Sequence, residues 1–145
     1  MIPFHNLSAK EKDSLLKFPA YMSLLAAAND DCLDETEKKS AIKFSHIKTF
    51  SCDPLLAQFY ADADKVFEKN IDQLDKTLPV GKLARDAAIK AALAELELIV
   101  LKLGKGYVLV MHRSMESFKR HVSEAHHNVF VDFIFPLPIK GLTYN

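Results

Sequence analysis

The chain has 145 residues, of which 49 % are hydrophobic and 26 % charged, and its 19 basic and 19 acidic residues give a formal net charge of zero. This length suffices for one domain with a substantial core. A neutral chain has no charge excess that would attract nucleic acid or an anionic membrane, so we expect neither partner.

The first predicted helix begins at a capping box, Ser8-x-x-Glu11. In such a box the serine hydroxyl accepts from one backbone amide, and the glutamate carboxylate accepts from another. Pro19 interrupts the apolar pattern that follows, and it predicts either a kink or a new helix after Phe18. We therefore expect a short helix, a bend and a second helix that ends near Ala28.

An acidic turn follows within AAANDDCLDETEKK, residues 26–39. Asp34 and Glu37 have the spacing of a second capping box, and they predict a helix that extends to about Thr49. Its buried face is predicted from helical spacing to consist of Ala41, Ile42, Phe44 and Ile47.

Asp53 and Pro54 give a third helix start, with the aspartate as N-cap and the proline at the first helical position. The helix is predicted to end near Leu78, because Pro79 and Gly81 follow. Apolar residues recur along it at three- and four-residue steps. They are Leu55, Leu56, Phe59, Tyr60, Ala63, Phe67, Ile71, Leu74 and Leu78.

A fourth helix is predicted from about Leu83 to Leu103, with Gly104-Lys105-Gly106 as its C-terminal stop. It is rich in alanine at first and in leucine later. Because it is apolar on most sides, we expect it in the middle of the bundle.

The segment Tyr107–Met111 contains β-branched residues and could form a strand. No partner strand is evident, however, and an isolated strand is not stable. We therefore predict one helix from Tyr107 to about Phe133, followed by an extended tail over residues 136–145. The residues predicted to face inward are Leu109, Met115, Phe118, Val122 and Val129.

Together these elements predict an all-α fold, a single-domain bundle of five to seven helices over residues 1–145. Residues 19–50 and 81–118 both contain a helix, a break and a helix, so the bundle could consist of two degenerate helical repeats. The N-terminal segment lacks the features of a signal peptide, and no apolar run is suited to cross a bilayer. We expect a cytoplasmic, bacterial protein.

The acidic turn is the first candidate site, because the oxygens of Asp30, Asp31, Asp34 and Glu37 could converge on a divalent cation. The turn does not match an EF-hand loop, whose sixth position is glycine, whereas Glu35 stands there. The alternative is that Asp34 and Glu37 serve only to begin the next helix, where first-turn acids favour the helix dipole.

The second candidate site is HRSMESFKRHVSEAHH, residues 112–127. Glu124-x-x-His127 has the spacing found in carboxylate-bridged di-iron bundles, and His121 would lie one turn away from Glu124. Such sites require further glutamates from facing helices, for which Glu95 and Glu97 are the nearest candidates. The alternative is a solvated helix face, because basic residues are interleaved with these side chains.

The stretch 18–42 resembles the TerB-like family, which is associated with tellurite resistance. Its members carry an apolar helix that leads into a turn of the form A-x-A-D-G-x-(I/L)-D-x-x-E. The matching positions, in order, are Ala26–Ala28, Asp30, Leu33, Asp34 and Glu37. Asp31 stands where the family usually has glycine.

The resemblance implies an all-α fold of two pseudo-repeated helical units. It also implies a divalent-cation site and a stress-response setting without known catalysis. Asp30, Asp31, Asp34 and Glu37 are the residues that it would assign to the cation. Around residues 103–112 the second half of the chain offers two glycines but no acidic partner for this site.

Three functional hypotheses follow. The first is a non-enzymatic, TerB-like helical protein that binds a divalent cation at the acidic turn or a protein partner. The second is a helical-bundle metalloenzyme that uses His121, Glu124 and His127. The third is a helical scaffold that forms a homo-oligomer. We favour a non-enzymatic role, because motifs such as GxSxG, the P-loop and HExxH are missing from the sequence, and the only cofactor suggested is a divalent cation.

Overall fold

The computed structural model describes residues 1–27 and 33–124, and within these ranges it contains six α-helices and no strand. The all-α prediction is therefore confirmed. Two short 3-10 turns lie at Phe4–Asn6 and Pro54–Leu56. The helices are α1 (Ala9–Leu15), α2 (Phe18–Ala26), α3 (Glu35–Ser51), α4 (Ala57–Thr77), α5 (Lys82–Leu101) and α6 (Lys105–Ser123).

Both predicted capping boxes form. The Ser8 hydroxyl accepts from the Glu11 N–H at 3.1 Å, and the Glu11 carboxylate accepts from the Ser8 N–H at 3.2 Å. At the start of α3, Asp34 accepts from the Glu37 N–H at 2.8 Å, and Glu37 accepts from the Asp34 N–H at 3.1 Å. These contacts satisfy amides that have no partner inside the helix, so each box fixes where its helix begins.

The breaks between helices also follow local chemistry. Pro19 occupies the second position of α2, so it begins a new helix and does not kink an existing one. Asp53 accepts from the Leu55 N–H at 2.9 Å and caps the 3-10 turn that leads into α4. Gly104, with a φ of 99°, separates α5 from α6. The segment Tyr107–Met111 lies inside α6, which confirms the helical alternative for it.

The core lies among α2, α3, α4 and α6, which pack against one another. Aromatic rings fill it: the Phe118 ring stacks with Tyr60 at 6.3 Å between centroids and is tilted against Phe67 at 5.7 Å. Phe59 meets Tyr60 edge-on at 5.1 Å, and Phe4 closes the cluster at 6.0 Å from Phe59. Buried aromatic pairs of this kind contribute the largest apolar areas to a core.

The predicted position of α5 is wrong, because this helix lies on the outside of the bundle, against α1, α2 and α6. Its inner face carries Arg85, Ile89, Leu96 and Val100, which are buried. Its outer face is apolar and exposed, with Leu83 the most exposed at 89 %. An apolar helix surface predicts that the helix is in contact with something, but it does not identify the contacting partner. For this reason the apolar composition of α5 led to a wrong prediction of its position.

Smaller predictions also need correction. Ile47 is 44 % exposed and Leu109 46 %, although both were predicted to face inward, and Leu55, which belongs to the apolar pattern of the third predicted helix, is 51 % exposed. The period of the pattern was right, but these residues lie at the edges of their stripes. Within the described residues α6 runs to Ser123, and the predicted continuation of this helix to about Phe133 lies outside them.

Other predictions fall outside the described residues: the inward position of Val129 and the extended tail over 136–145. The two degenerate repeats stay a prediction. Among the described helices, none combines the length and the apolar character needed to cross a membrane.

Candidate functional site

The acidic turn is described only in part, because Asp30 and Asp31 lie outside the described residues. The carboxylates of Asp34 and Glu37 bond each other's backbone amides in the capping box, and the Glu37 residue is 1 % exposed. Their predicted role in starting α3 is therefore confirmed. A cation would have to compete with these hydrogen bonds, and the cation site stays a prediction.

Asp75 of α4 holds the end of this turn, a role that sequence patterns did not indicate. Its Oδ1 accepts from the Leu33 N–H at 3.2 Å and pairs with the guanidinium of Arg85. Arg85 also donates to the carbonyl oxygens of Asp75 and Pro79 at 3.4 Å, and its side chain is only 5 % exposed. This group joins the turn, α4 and α5, and it serves the fold because its donors and acceptors satisfy one another.

The histidine-rich segment divides into two unrelated places. His112 lies on α6 opposite Glu97 of α5, with its Nε2 atom 2.8 Å from both carboxylate oxygens. His121 lies nine residues further along the same helix, so Glu97 is not positioned to join it. His127 lies outside the described residues. Within the described ranges no group of three or more His, Cys, Asp or Glu side chains could hold a metal ion.

His121 and Glu124 instead line a cleft between the C-terminal halves of α3 and α6. We call it the α3–α6 cleft; it has a volume of about 420 Å³. Its lining contains basic, hydroxyl, aromatic and acidic side chains: Phe44, Lys48, Ser51, Ser117, Arg120, His121 and Glu124. Three of these are basic or can become so and only one is acidic, so the cleft has an excess of positive charge.

Phe44 organises the wall of the cleft. Its ring meets Phe118 of the core edge-on at 4.8 Å, which fixes its orientation. The His121 ring stacks on it at 4.3 Å with an interplanar angle of 15°. The Lys48 Nζ lies 5.3 Å from the ring centroid, within the range of a cation–π contact. One aromatic ring thus positions both the imidazole and the ammonium.

Burial affects the pKa values of two basic side chains in the cleft. It lowers the pKa of the Lys48 ammonium, and the neighbouring Cys52 opposes that shift. Burial also lowers the pKa of His121, with the positive charge of Lys43 acting in the same direction. Both shifts mean that positive charge in this cleft is poorly hydrated. An anion that displaced the remaining water would compensate this cost.

Sequence reasoning found His121 and Glu124 but missed Lys48, Phe44 and Arg120 as members of one site. A signal existed, because Phe44 and Lys48 are four residues apart on α3, and Arg120 and Glu124 are four residues apart at the C-terminal end of α6. The spacing shows which side chains share a helix face, but it does not show that two faces from distant parts of the chain meet.

Comparison with protein-family models, with curated proteins and with solved structures finds no match to this chain. The resemblance to the TerB-like family is neither supported nor contradicted by these comparisons, and it stays a prediction.

Proposed function

We propose that this chain is a non-enzymatic helical binding protein whose α3–α6 cleft takes the carboxylate or phosphate group of a small organic anion. The observation that supports this proposal is the convergence of Lys48 and Arg120 with two hydroxyl side chains around a cleft of about 420 Å³. A volume of this order suits a small molecule.

The chemistry of the donors favours an anion. Lys48 carries a positive charge in a place where burial disfavours it. Charge-assisted hydrogen bonds to a carboxylate or phosphate are stronger than those between neutral groups. Ser51 and Ser117 add hydroxyl groups to the lining, and Phe44 adds apolar surface for an organic portion of the ligand.

A divalent cation is the second candidate, in the form of the predicted metal site of His121, Glu124 and His127. One observation favours it: His121 and Glu124 line the same cleft, and burial lowers the pKa of His121. A neutral imidazole is the form that binds a metal ion. His121 and Glu124 lie within the described part of the chain, whereas His127 lies outside it.

Isothermal titration calorimetry with benzoate, with inorganic phosphate and with Zn²⁺ separates these candidates. We expect benzoate or phosphate to bind, and Lys48→Gln or Arg120→Gln to weaken the binding about 10- to 100-fold, because a hydrogen bond to a charged group contributes about 1.5–3 kcal/mol. Lys10→Gln, an exposed lysine on α1, is the matched control and should leave the affinity unchanged.

Two other results would count against anion binding in this cleft. Stoichiometric Zn²⁺ binding that His121→Ala abolishes, without any heat from the anions, would favour the metal site. Heat from the anions that is equal in all variants would place their binding elsewhere and contradict the proposal.

The pH dependence gives a second test. Because the pKa of His121 lies below its ordinary value of 6.5, its imidazole is neutral at pH 7 and gains a proton only as the pH falls below that value. We expect benzoate to bind more tightly at lower pH, since a positive charge is then added beside Lys48 and Arg120 and opposite Glu124. His121→Gln should remove this dependence; an unchanged profile in that variant would exclude His121 from the site.

A further inference from the structure

The outer face of α5 is an apolar stripe with the spacing of a helix–helix interface. Its six residues recur at alternating three- and four-residue steps and are all exposed: Ala84, Ala87, Ala91, Ala94, Leu98 and Leu101. Leu98 is 65 % exposed and Leu101 60 %. The stripe, which we call the α5 seam, is about 26 Å long at 1.5 Å per residue.

This spacing is typical of positions a and d in a coiled coil. A single exposed leucine on a protein surface is ordinary, but a continuous apolar stripe on one helix face marks an interaction site. The seam is independent of the α3–α6 cleft, which lies between two other helix segments.

We propose that the α5 seam binds a second copy of this chain, with the two α5 helices packed antiparallel across a two-fold axis. About an axis between residues 92 and 93, Ala87 lies opposite Leu98, and Ala91 lies opposite Ala94. Ala84 likewise lies opposite Leu101. Each large side chain therefore meets a small one, so the two helices can keep a uniform spacing along the seam.

Packing distinguishes this arrangement from a parallel pair. In a parallel pair the N-terminal half of the seam would place alanine against alanine, and the C-terminal half leucine against leucine. The helices would then have to diverge along their length, because the interaxial distance depends on the side chains at the contact.

Charge supports a second copy as the occupant. Lys90 and Glu97 border the same edge of the seam. An antiparallel pair brings Lys90 of one copy beside Glu97 of the other, and the symmetry makes this contact twice. The whole chain has a formal net charge of zero, so two copies do not repel each other at long range.

The extent of the seam sets the expected affinity. Two helix faces of this length bury on the order of 1,000 Å² in total, which is at the low end of specific interfaces. We therefore expect a dimer with a Kd in the micromolar range.

Sedimentation equilibrium of the full chain tests the proposal. At about 100 μM the wild type should have the mass of a dimer, and Leu98→Glu with Leu101→Glu should have the mass of a monomer with an unchanged helical circular-dichroism spectrum. Phe50→Glu is the matched control, because Phe50 on α3 is 82 % exposed but lies away from the seam; this variant should remain dimeric.

A charge exchange tests the orientation without altering the seam itself. Lys90→Glu should weaken the dimer at least several-fold, and adding Glu97→Lys should restore it, because the antiparallel contact is then re-formed with reversed signs. In a parallel pair Lys90 would face Glu95, and adding Glu95→Lys would restore the dimer instead.

A wild type that is monomeric at this concentration would overturn the proposal and leave the seam to another occupant. Rescue by Glu95→Lys in place of Glu97→Lys would overturn the antiparallel arrangement. A dimer that survives the two glutamate substitutions in the seam would show that the copies meet elsewhere.

Discussion

The helices α4 and α5 are neighbours in the sequence and almost equal in length, with 21 and 20 residues. α4 packs in the core, whereas α5 lies on the outside of the bundle. α4 buries one face that includes Phe59, Tyr60 and Phe67. α5 is rich in alanine and leucine, yet Ile89, Leu96 and Val100 are the apolar residues that it buries fully, and its outer face stays exposed.

The difference teaches that periodicity places a helix more reliably than apolar content does. The rest of the α4 surface carries polar residues, so only one orientation of this helix buries its single apolar face. α5 has two apolar faces, and in the part of the chain that the structure describes only one of them is buried.

Phe67→Ala on α4 should lower the free energy of unfolding by about 3–5 kcal/mol, the usual loss for a fully buried phenylalanine. The ring is 1 % exposed and lies 5.7 Å from Phe118. Urea denaturation followed by circular dichroism measures the loss. A loss below about 1 kcal/mol would contradict the position of α4 in the core.

Arg85→Met on the inner face of α5 should cost about 2–3 kcal/mol, because it leaves Asp75 without its charge partner and removes the donors to two carbonyl groups. Lys82→Met is the control on the same helix. Lys82 pairs with Asp86 at 3.2 Å near the surface, where ion pairs contribute less than about 1 kcal/mol. Equal losses in the two variants would contradict the contrast between the faces of α5.

Two buried tyrosines show how much a hydrogen-bond partner for a buried hydroxyl group contributes to stability. Tyr60→Phe on α4 should cost about 1–2 kcal/mol, because the Tyr60 hydroxyl is hydrogen-bonded to Ser114. The Tyr107 hydroxyl on α6 is buried and has no partner among the described residues. Tyr107→Phe should therefore leave stability unchanged or raise it. A larger loss at Tyr107 than at Tyr60 would reverse this expectation.

Leu98→Ala in the α5 seam should change the unfolding free energy by no more than about 0.5 kcal/mol, as at most surface positions, when it is measured at a concentration where the chain is monomeric. Thermal or urea unfolding at low micromolar concentration measures it. A loss of the size expected for Phe67→Ala would mean that the outer face of α5 is covered within one chain.

Much of the helical pattern could be predicted because its causes are local. The capping boxes of Ser8 with Glu11 and Asp34 with Glu37 span four residues each, and both form as expected. The prediction of a helical Tyr107–Met111 succeeded for a related reason, since a strand there would have lacked a partner. Helix ends were predicted less closely, since α5 ends at Leu101 and not at Leu103.

The candidate site could be predicted only in fragments. His121 and Glu124 were identified from their spacing, but Lys48 comes from a helix more than seventy residues earlier in the chain. No local pattern relates the two helices. Likewise, no local pattern indicates that Glu97 of α5 is the partner of His112 on α6. The packing of these two helices places the Glu97 carboxylate 2.8 Å from the His112 Nε2 atom.

The sequence alone determined where most helices begin and which faces of α4 and α6 are mainly apolar, because caps and helical periodicity act within one or two turns. The cleft between α3 and α6, and the exposure of one α5 face among the described residues, emerge only when the helices pack together. Those outcomes depend on which faces meet across long stretches of chain, and such meetings are selected by the packing of the whole core.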